Sequence, residues 1–211
     1  MKYTGRISLV VLSLSVSIIE IVLGRDVVVS EFFTDIIFAA IAWYVGGLYD
    51  KATFFAYNDS LTKVYNRRYA DKVVPKLFHR AKTRQEPISV FSLDINNFKC
   101  LNDYYGHQVG DLALEKLSKL LLDNVRKKDI VFRWGGDEFL VIAPNTDIDI
   151  VNSFITRINN AVSFEVEKFN NKDIKLGISI GYAVFPQDGQ TFDELLSKAD
   201  KKMYKVKIAS K

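Results

Sequence analysis

The 211-residue sequence predicts an α+β domain preceded by an N-terminal helical hairpin. Three observations carry that reading. Residues 1–50 differ in composition from the rest: two apolar runs, Ile7 to Leu23 and Val27 to Tyr49, flank the polar break Gly24-Arg25-Asp26. From residue 87 onward, strand-like and helix-like patterns follow in the order β-α-α-β-β-α-β-β-α. The inner part of that order matches a split βαβ sheet, with helices on one side and a cleft on the other. Gly135-Gly136 lies between two short apolar runs, Ile130-Val131-Phe132 and Phe139 to Ala143, which is the pattern of a β-hairpin with a primed turn.

Composition narrows the class. Hydrophobic residues make up 48% of the chain, enough to build a proper core. Cys100 is the chain's one cysteine, so no internal disulfide forms, which suits a reducing compartment. The net charge of +4 suits phosphate ligands, anionic lipid or nucleic acid. No basic stripe interleaved with aromatics is present, which argues against polymeric nucleic acid as a partner. No repeat or low-complexity tract is visible.

The first 50 residues read as two transmembrane helices. Each apolar core is near the short end of the roughly 17–25 residues that a span requires. Glu20, Glu31 and Asp35 lie toward the polar break, where water can hydrate them. Lys2, Arg6 and Lys51 flank the other ends, so the positive-inside rule places both termini in the cytoplasm and Trp43, Tyr44 and Tyr49 at the inner interface. A multi-pass inner-membrane protein with a cytoplasmic domain is therefore expected. A surface hairpin or a packing element of a soluble protein is the alternative. No small-x-small cleavage site precedes the break, which argues against a signal peptide.

Residues 51–60 read as a short connector, and 61–211 as the main domain. Asp59 or Ser60 is suited to cap a following helix, and Asn66 to cap one running to about Arg84. Tyr69, Val73, Leu77 and Phe78 supply that helix's apolar face, and Pro75 kinks or breaks it. Pro87 to Ile95 reads as a buried strand delivering Asp94 at its edge. A short helix and turn cover Asn96 to Tyr105. Val109 to Val125 forms a helix on Leu112, Leu117, Leu120, Leu121 and Val125. Asp147 opens a helix to about Val162. Phe164 to Phe169 alternates as a strand, Asn170-Asn171 turns it, and Ile174 to Phe185 is another strand. Gly181 within that strand marks a bulge or a close contact. Thr191 caps a last helix, with Phe192, Leu195, Leu196, Ala199, Met203 and Val206 on its core face.

The chemistry concentrates at Arg133-Trp-Gly-Gly-Asp-Glu-Phe139. Asp137 and Glu138 sit where the chain turns back into an apolar strand. Neighbouring strand residues point to opposite faces, so one acid can face a cleft and the other not. The glycines bare the backbone to close approach by a large anion. An ordinary hairpin tip with solvated acids is the plainer reading.

This heptapeptide resembles the signature of the GGDEF family of diguanylate cyclases, and the resemblance runs over about Asp59 to Lys211. It includes Asp59-Ser-Leu-Thr62, Asn66-Arg67-Arg68, Asp94-Ile95, Phe98-Lys99, Asn102-Asp103, Gly106-His107, Gly110-Asp111, Ala199-Asp200, Met203-Tyr204 and Lys207. It implies a palm-like, ferredoxin-like nucleotidyl cyclase fold that condenses two GTP into cyclic di-GMP with release of pyrophosphate. It implies Mg²⁺ or Mn²⁺, held by the side chains of Asp94 and Asp137 and the carbonyl of Ile95. Two carboxylates beside a triphosphate suit such a hard cation. Asp137 and Glu138 are then the catalytic pair, with Glu138 helping to deprotonate the attacking hydroxyl or to hold a second metal.

By the same resemblance Asn102 and Asp111 read guanine, and Leu61, Phe98 and Leu114 wall it, plain core packing being the alternative for the apolar three. Lys99, Lys207 and Lys211 are candidates for the phosphates. Arg126 and Asp129 resemble a product-inhibition site, against the reading of a basic helix terminus. The expected partners are GTP, cyclic di-GMP as feedback ligand, the membrane and a second copy, since one acid pair cannot close the ring alone. The chain departs from the family in having Asn96 where a second Asp is common and Lys211 where an Arg is usual. A non-catalytic GTP or cyclic di-GMP receptor on the same fold is the alternative function.

Overall fold

One strand buried on both faces organises the larger part of the molecule. The computed structural model describes residues 3–22, 29–163, 166–169 and 172–209. Lys2, the Gly24-Arg25-Asp26 break, the Asn170-Asn171 turn and Lys211 lie outside the described residues. The chain divides into two units, Met1–Ala56 and Tyr57–Lys211.

In the first unit, α1 (Thr4–Val22) and α2 (Val29–Tyr57) form from the two apolar runs. The first turn of α1 packs on the C-terminal half of α2. Asp50 accepts from the backbone N–H groups of Gly5 and Arg6 at 2.7 and 3.3 Å, which places a carboxylate on the positive end of a helix. A Cβ on Gly46 would stand 2.6 Å from the Arg6 Cα, so the crossing needs glycine there. The expected bilayer-spanning hairpin is corrected: among the described residues no helix is long and apolar enough to cross a membrane. α1 carries Arg6 in its first turns. α2 carries Asp35 and runs on through Asp50 and Lys51 to Tyr57. Multi-pass membrane placement and the membrane as partner are set aside with it. The expected connector is helical as far as Tyr57.

The second unit is built on a five-stranded sheet of order β1-β3-β4-β2-β7. Its strands are β1 (Tyr65–Asn66), β2 (Ile88–Ile95), β3 (Ile130–Arg133), β4 (Glu138–Pro144) and β7 (Ile178–Phe185). β5 (Val166–Phe169) and β6 (Lys172–Lys175) pair separately. Hence the single strand expected from Ile174 to Phe185 is divided: β6 joins the small ribbon and only β7 joins the main sheet. The helices are α3 (Arg67–Arg84), α4 (Phe98–Tyr105), α5 (His107–Asn124), α6 (Ile148–Ser163) and α7 (Phe192–Ala209).

β2 is buried along its whole length. Phe91, Leu93 and Ile95 face one core with α5 and α6, while Ile88 and Val90 face the other with α3 and α7. Helices therefore cover both faces, not one as the sequence suggested. Asp94 shares the α3/α7 face with its antiparallel partner Glu138. On α3 the buried residues are Ala70, Val74, Phe78 and Ala81, and the larger Tyr69, Val73 and Leu77 pack at the rim. Small side chains let the helix axis approach the sheet. The helix passes through Pro75 without interruption. Leu112 and Val206, expected in the core, are 48% and 45% exposed.

Asn66 caps α3, its Oδ1 accepting from Tyr69 N at 3.1 Å. Asp59 instead closes a turn, accepting from Thr62 N and Oγ1, both at 2.8 Å, so no helix starts there. Asp147 Oδ1 accepts from Ile150 N at 3.2 Å and opens α6.

Gly181 fixes the height of α7 above the sheet. Its strand register is unbroken, so the close contact and not a bulge explains it. A Cβ there would stand 2.1 Å from Ala199 O and 2.2 Å from Met203 N, both backbone atoms that cannot rotate away. Gly181→Ala is expected to cost about 1–3 kcal/mol by overpacking. Urea unfolding monitored by circular dichroism checks this, and an unchanged midpoint removes the assigned role.

Candidate active site

The acids gather where β2 ends and β4 begins. Asp94 lies opposite Glu138 on β4 and opposite Ser179 on β7. It is the one acid on a strand otherwise apolar or hydroxylic, and it is 5% exposed. A buried carboxylate costs several kcal/mol unless it is paired. Here Lys207, in the last turn of α7, supplies the pair: its Nζ donates to Asp94 Oδ1 at 2.5 Å. Burial, and then the charge of Asp137, still push the Asp94 carboxyl above the ordinary Asp range, against the hydrogen bond and charge of Lys207. Glu138 is also pushed up, by desolvation first and then by Asp200, Asp94 and Asp137.

The Gly-Gly turn differs from the expected primed hairpin. Such turns need positive φ, and neither Gly135 nor Gly136 has it. Trp134 N donates to Glu138 O at 2.8 Å, and Glu138 N to Gly135 O at 3.3 Å. A Cβ on Gly136 would meet nothing within 4 Å, and one on Gly135 only the Glu138 carboxylate at 3.3 Å. Neither backbone angle nor crowding within the chain calls for these glycines. What remains is an open stretch of backbone beside the acids, suited to close approach by a ligand.

Arg133 holds this turn in place. Its Nε and Nη2 donate to Gly136 O at 3.1 and 2.8 Å, and its Nη1 to Asp59 Oδ1 at 3.0 Å. Burial opposes the charge on Asp59, but the bonds from Thr62 and Arg133 outweigh it and hold its carboxyl below the usual range. Where a second Asp is common in the family, Asn96 Oδ1 accepts from Ser179 Oγ at 2.6 Å and Asn96 N donates to Gly177 O at 2.8 Å. Those bonds fasten the end of β2 to the start of β7 and leave Asn96 a structural task.

A second cluster lies on α4 and α5. Asn102 Oδ1 is buried without a hydrogen-bond partner. A Cβ on Gly110 would stand 1.9 Å from that oxygen and 3.2 Å from Phe98 Cζ, so Gly110 leaves the room these side chains use. Leu61 and Phe98 pack at the rim of the core, and Leu114 is fully within it. Asp111, next to Gly110, is exposed, and so is Lys99. Ile95 is buried at the end of β2. Among the described residues no hydrogen bond or ion pair joins Asp111 or Lys99 to the acids, and Lys211 is outside the described residues.

The third cluster holds Arg126 and Asp129. Arg126 N donates to Asp129 Oδ2 at 2.8 Å. Asp129 Oδ1 is buried and unpartnered. Burial pushes the Asp129 carboxyl up, against the Arg126 N–H and the charges of Arg126, Lys128 and Arg157. Arg157, on α6, was not singled out in the sequence, because nothing local links it to Asp129. Asp200 had only its place in a motif, although its spacing from Lys207 puts both on one face of α7.

Two carboxylates, Asp94 and Asp137, close enough to raise the pKa of the first, fit a divalent cation that takes its other ligands from phosphate and water. Among the described residues no three acids, histidines or cysteines are grouped as a complete protein cage.

A mixed sheet between helical layers, with acids gathered at one edge beside a bare glycine turn, defines an α+β domain of the palm-like class. The family model described as "Diguanylate cyclase, GGDEF domain" matches residues 56–211, and the chain belongs to that family. Diguanylate cyclase DosC of Escherichia coli (strain K12) is 35% identical over 150 residues, covering 71% of this chain and 32% of that protein. Response regulator PleD of Caulobacter vibrioides (strain NA1000 / CB15N) is 34% identical over 171 residues, covering 80% and 37%. The chain thus spans about a third of the length of these curated relatives. The crystal structure of the GGDEF domain of DgcB from Caulobacter crescentus in complex with c-di-GMP superposes with a TM-score of 0.69 at 27% identity, covering 74% of this chain and 90% of that one.

Proposed function

We propose that this chain is a diguanylate cyclase that joins two GTP into cyclic di-GMP and releases pyrophosphate. The observation that carries the reading is the buried Asp94, opposite Glu138 across the sheet and with its carboxyl pushed up by burial and then by the charge of Asp137, beside an open Gly-Gly backbone. The carboxylates of Asp94 and Asp137, with the Ile95 carbonyl, would hold a divalent cation, Mg²⁺ or Mn²⁺, and that cation would supply charge neutralisation at the phosphates and lower the pKa of an oxygen it touched. Glu138, with its pKa raised, accepts the proton of the attacking 3′-hydroxyl more readily than an ordinary carboxylate. The 3′-oxygen then bonds to the α-phosphorus of the other GTP, and the bond from that phosphorus to the pyrophosphate oxygen breaks. Lys207, Lys99 and Lys211 neutralise the leaving charge. The orphaned Asn102 Oδ1 and the Asp111 carboxylate accept from the guanine N–H groups, which adenine cannot supply.

Incubation with GTP and Mg²⁺, with ATP as competitor and mass analysis of products, tests this. Cyclic di-GMP formed from GTP alone is the expected result. GTP binding without any turnover indicates the receptor reading instead.

Each copy has one Asp94–Asp137 pair, so two copies must face each other to close the ring. Specific activity is therefore expected to rise with protein concentration. A rate per molecule that stays flat across a hundredfold dilution, with light scattering reporting monomers, removes the two-copy mechanism.

A further inference from the structure

The contact between Lys207 and Asp94 has a consequence for how the site loads. Asp94 is 7% exposed at its side chain, and Lys207 is 25% exposed. They are 113 residues apart in the chain, and α7 brings them together because Gly181 lets it lie close to β7. The charged groups that act on Glu138 are Asp200, Asp94, Asp137 and Lys207, three acids and one ammonium. Lys207 is the cation of this set, and it already sits on an oxygen of Asp94. A lysine ammonium is a point charge on a flexible four-carbon stem, so it can move from one oxygen to another without moving the helix.

We propose that Lys207 is a resident counter-cation for Asp94, which a divalent metal must displace to bind, and that the arriving triphosphate gives the displaced ammonium its next partner. This rests on the metal reading of Asp94 above. With no nucleotide present, metal and lysine compete for one carboxylate, so metal alone binds weakly. With a triphosphate present, the ammonium moves to the phosphates and the competition ends. Metal and nucleotide therefore bind with positive coupling, and the coupling passes through one side chain.

Titration calorimetry of the full chain with Mn²⁺ alone tests this, without turnover. Lys207→Met is expected to bind Mn²⁺ about tenfold more tightly than wild type, within the roughly 5–150-fold range of ordinary site coupling. Lys207→Arg keeps the charge and should restore weak binding. Lys207→Gln keeps a donor without the charge, and it serves as the second variant should Lys207→Met unfold. In parallel, a GTP analogue with a methylene between its α- and β-phosphates should tighten Mn²⁺ binding in wild type more than in Lys207→Met. Mn²⁺ affinity unchanged or weakened in both Lys207→Met and Lys207→Gln, while Asp94→Asn loses binding, overturns the counter-cation and leaves the metal site standing. Wild-type Mn²⁺ affinity in folded Asp94→Asn overturns the metal reading itself.

Discussion

Replacing Asp137 by alanine is expected to lower cyclic di-GMP synthesis by roughly 10³-fold, equivalent to about 4 kcal/mol of lost transition-state stabilisation. The fold should survive the change. The turn that carries Asp137 is held by other groups: the Trp134 N–H on Glu138 O, and the Arg133 guanidinium bridging Gly136 O to Asp59. None of these bonds uses the Asp137 side chain. Its charge acts unfavourably on Asp94 and Glu138, so removing it relieves repulsion among the acids. The unfolding midpoint should therefore stay level or rise while activity disappears. Product quantification beside a thermal melt distinguishes the cases. A folded Asp137→Ala protein with near wild-type turnover refutes the assignment of Asp137 as a metal-holding residue.

Much of the sheet was legible in the sequence because its strands bury both faces. The run Pro87 to Ile95 is apolar on both faces near its end, and it delivered Asp94 to an edge as expected. The hairpin either side of Gly135-Gly136 was legible too, but not its turn. Glycine pairs usually serve positive φ, and here they serve open space. Helix faces were displaced for a related reason. Leu112, Tyr69 and Val206 belong to the apolar stripes read from the sequence, yet the buried positions are Ala70, Val74 and Phe78 on α3, Leu114 and Leu117 on α5, and Leu195 and Ala199 on α7. The two N-terminal apolar runs became helices, but among the described residues no helix is long and apolar enough to cross a membrane. What local pattern could not supply were pairings across distance. Arg133 with Asp59, 74 residues apart, and Lys207 with Asp94 exist only because the sheet order brings separate elements to one edge. Arg157 beside Asp129 is of the same kind.

The double variant Arg126→Ala, Asp129→Ala is expected to relieve inhibition by cyclic di-GMP while synthesis by fresh enzyme continues. The pair lies at the turn between α5 and β3, at the opposite end of β3 from the Gly-Gly turn. Asp129 is poised to accept: one carboxylate oxygen takes the Arg126 N–H and the other is buried without a partner. A guanine edge offers two N–H donors to such an oxygen, and Arg126 offers charge to a phosphate. Arg157, whose guanidinium donates to Asn124 O at 3.1 and 2.8 Å, adds positive charge on the same side. Hydrogen bonds to charged groups are worth about 1.5–3 kcal/mol each, so losing even one should raise the inhibitory concentration by roughly tenfold or more. Removing the buried, destabilised carboxylate should cost the fold little. Initial rates measured against added cyclic di-GMP read the effect directly. Inhibition of the double variant at wild-type concentrations leaves Arg126 and Asp129 as a helix terminus and nothing more.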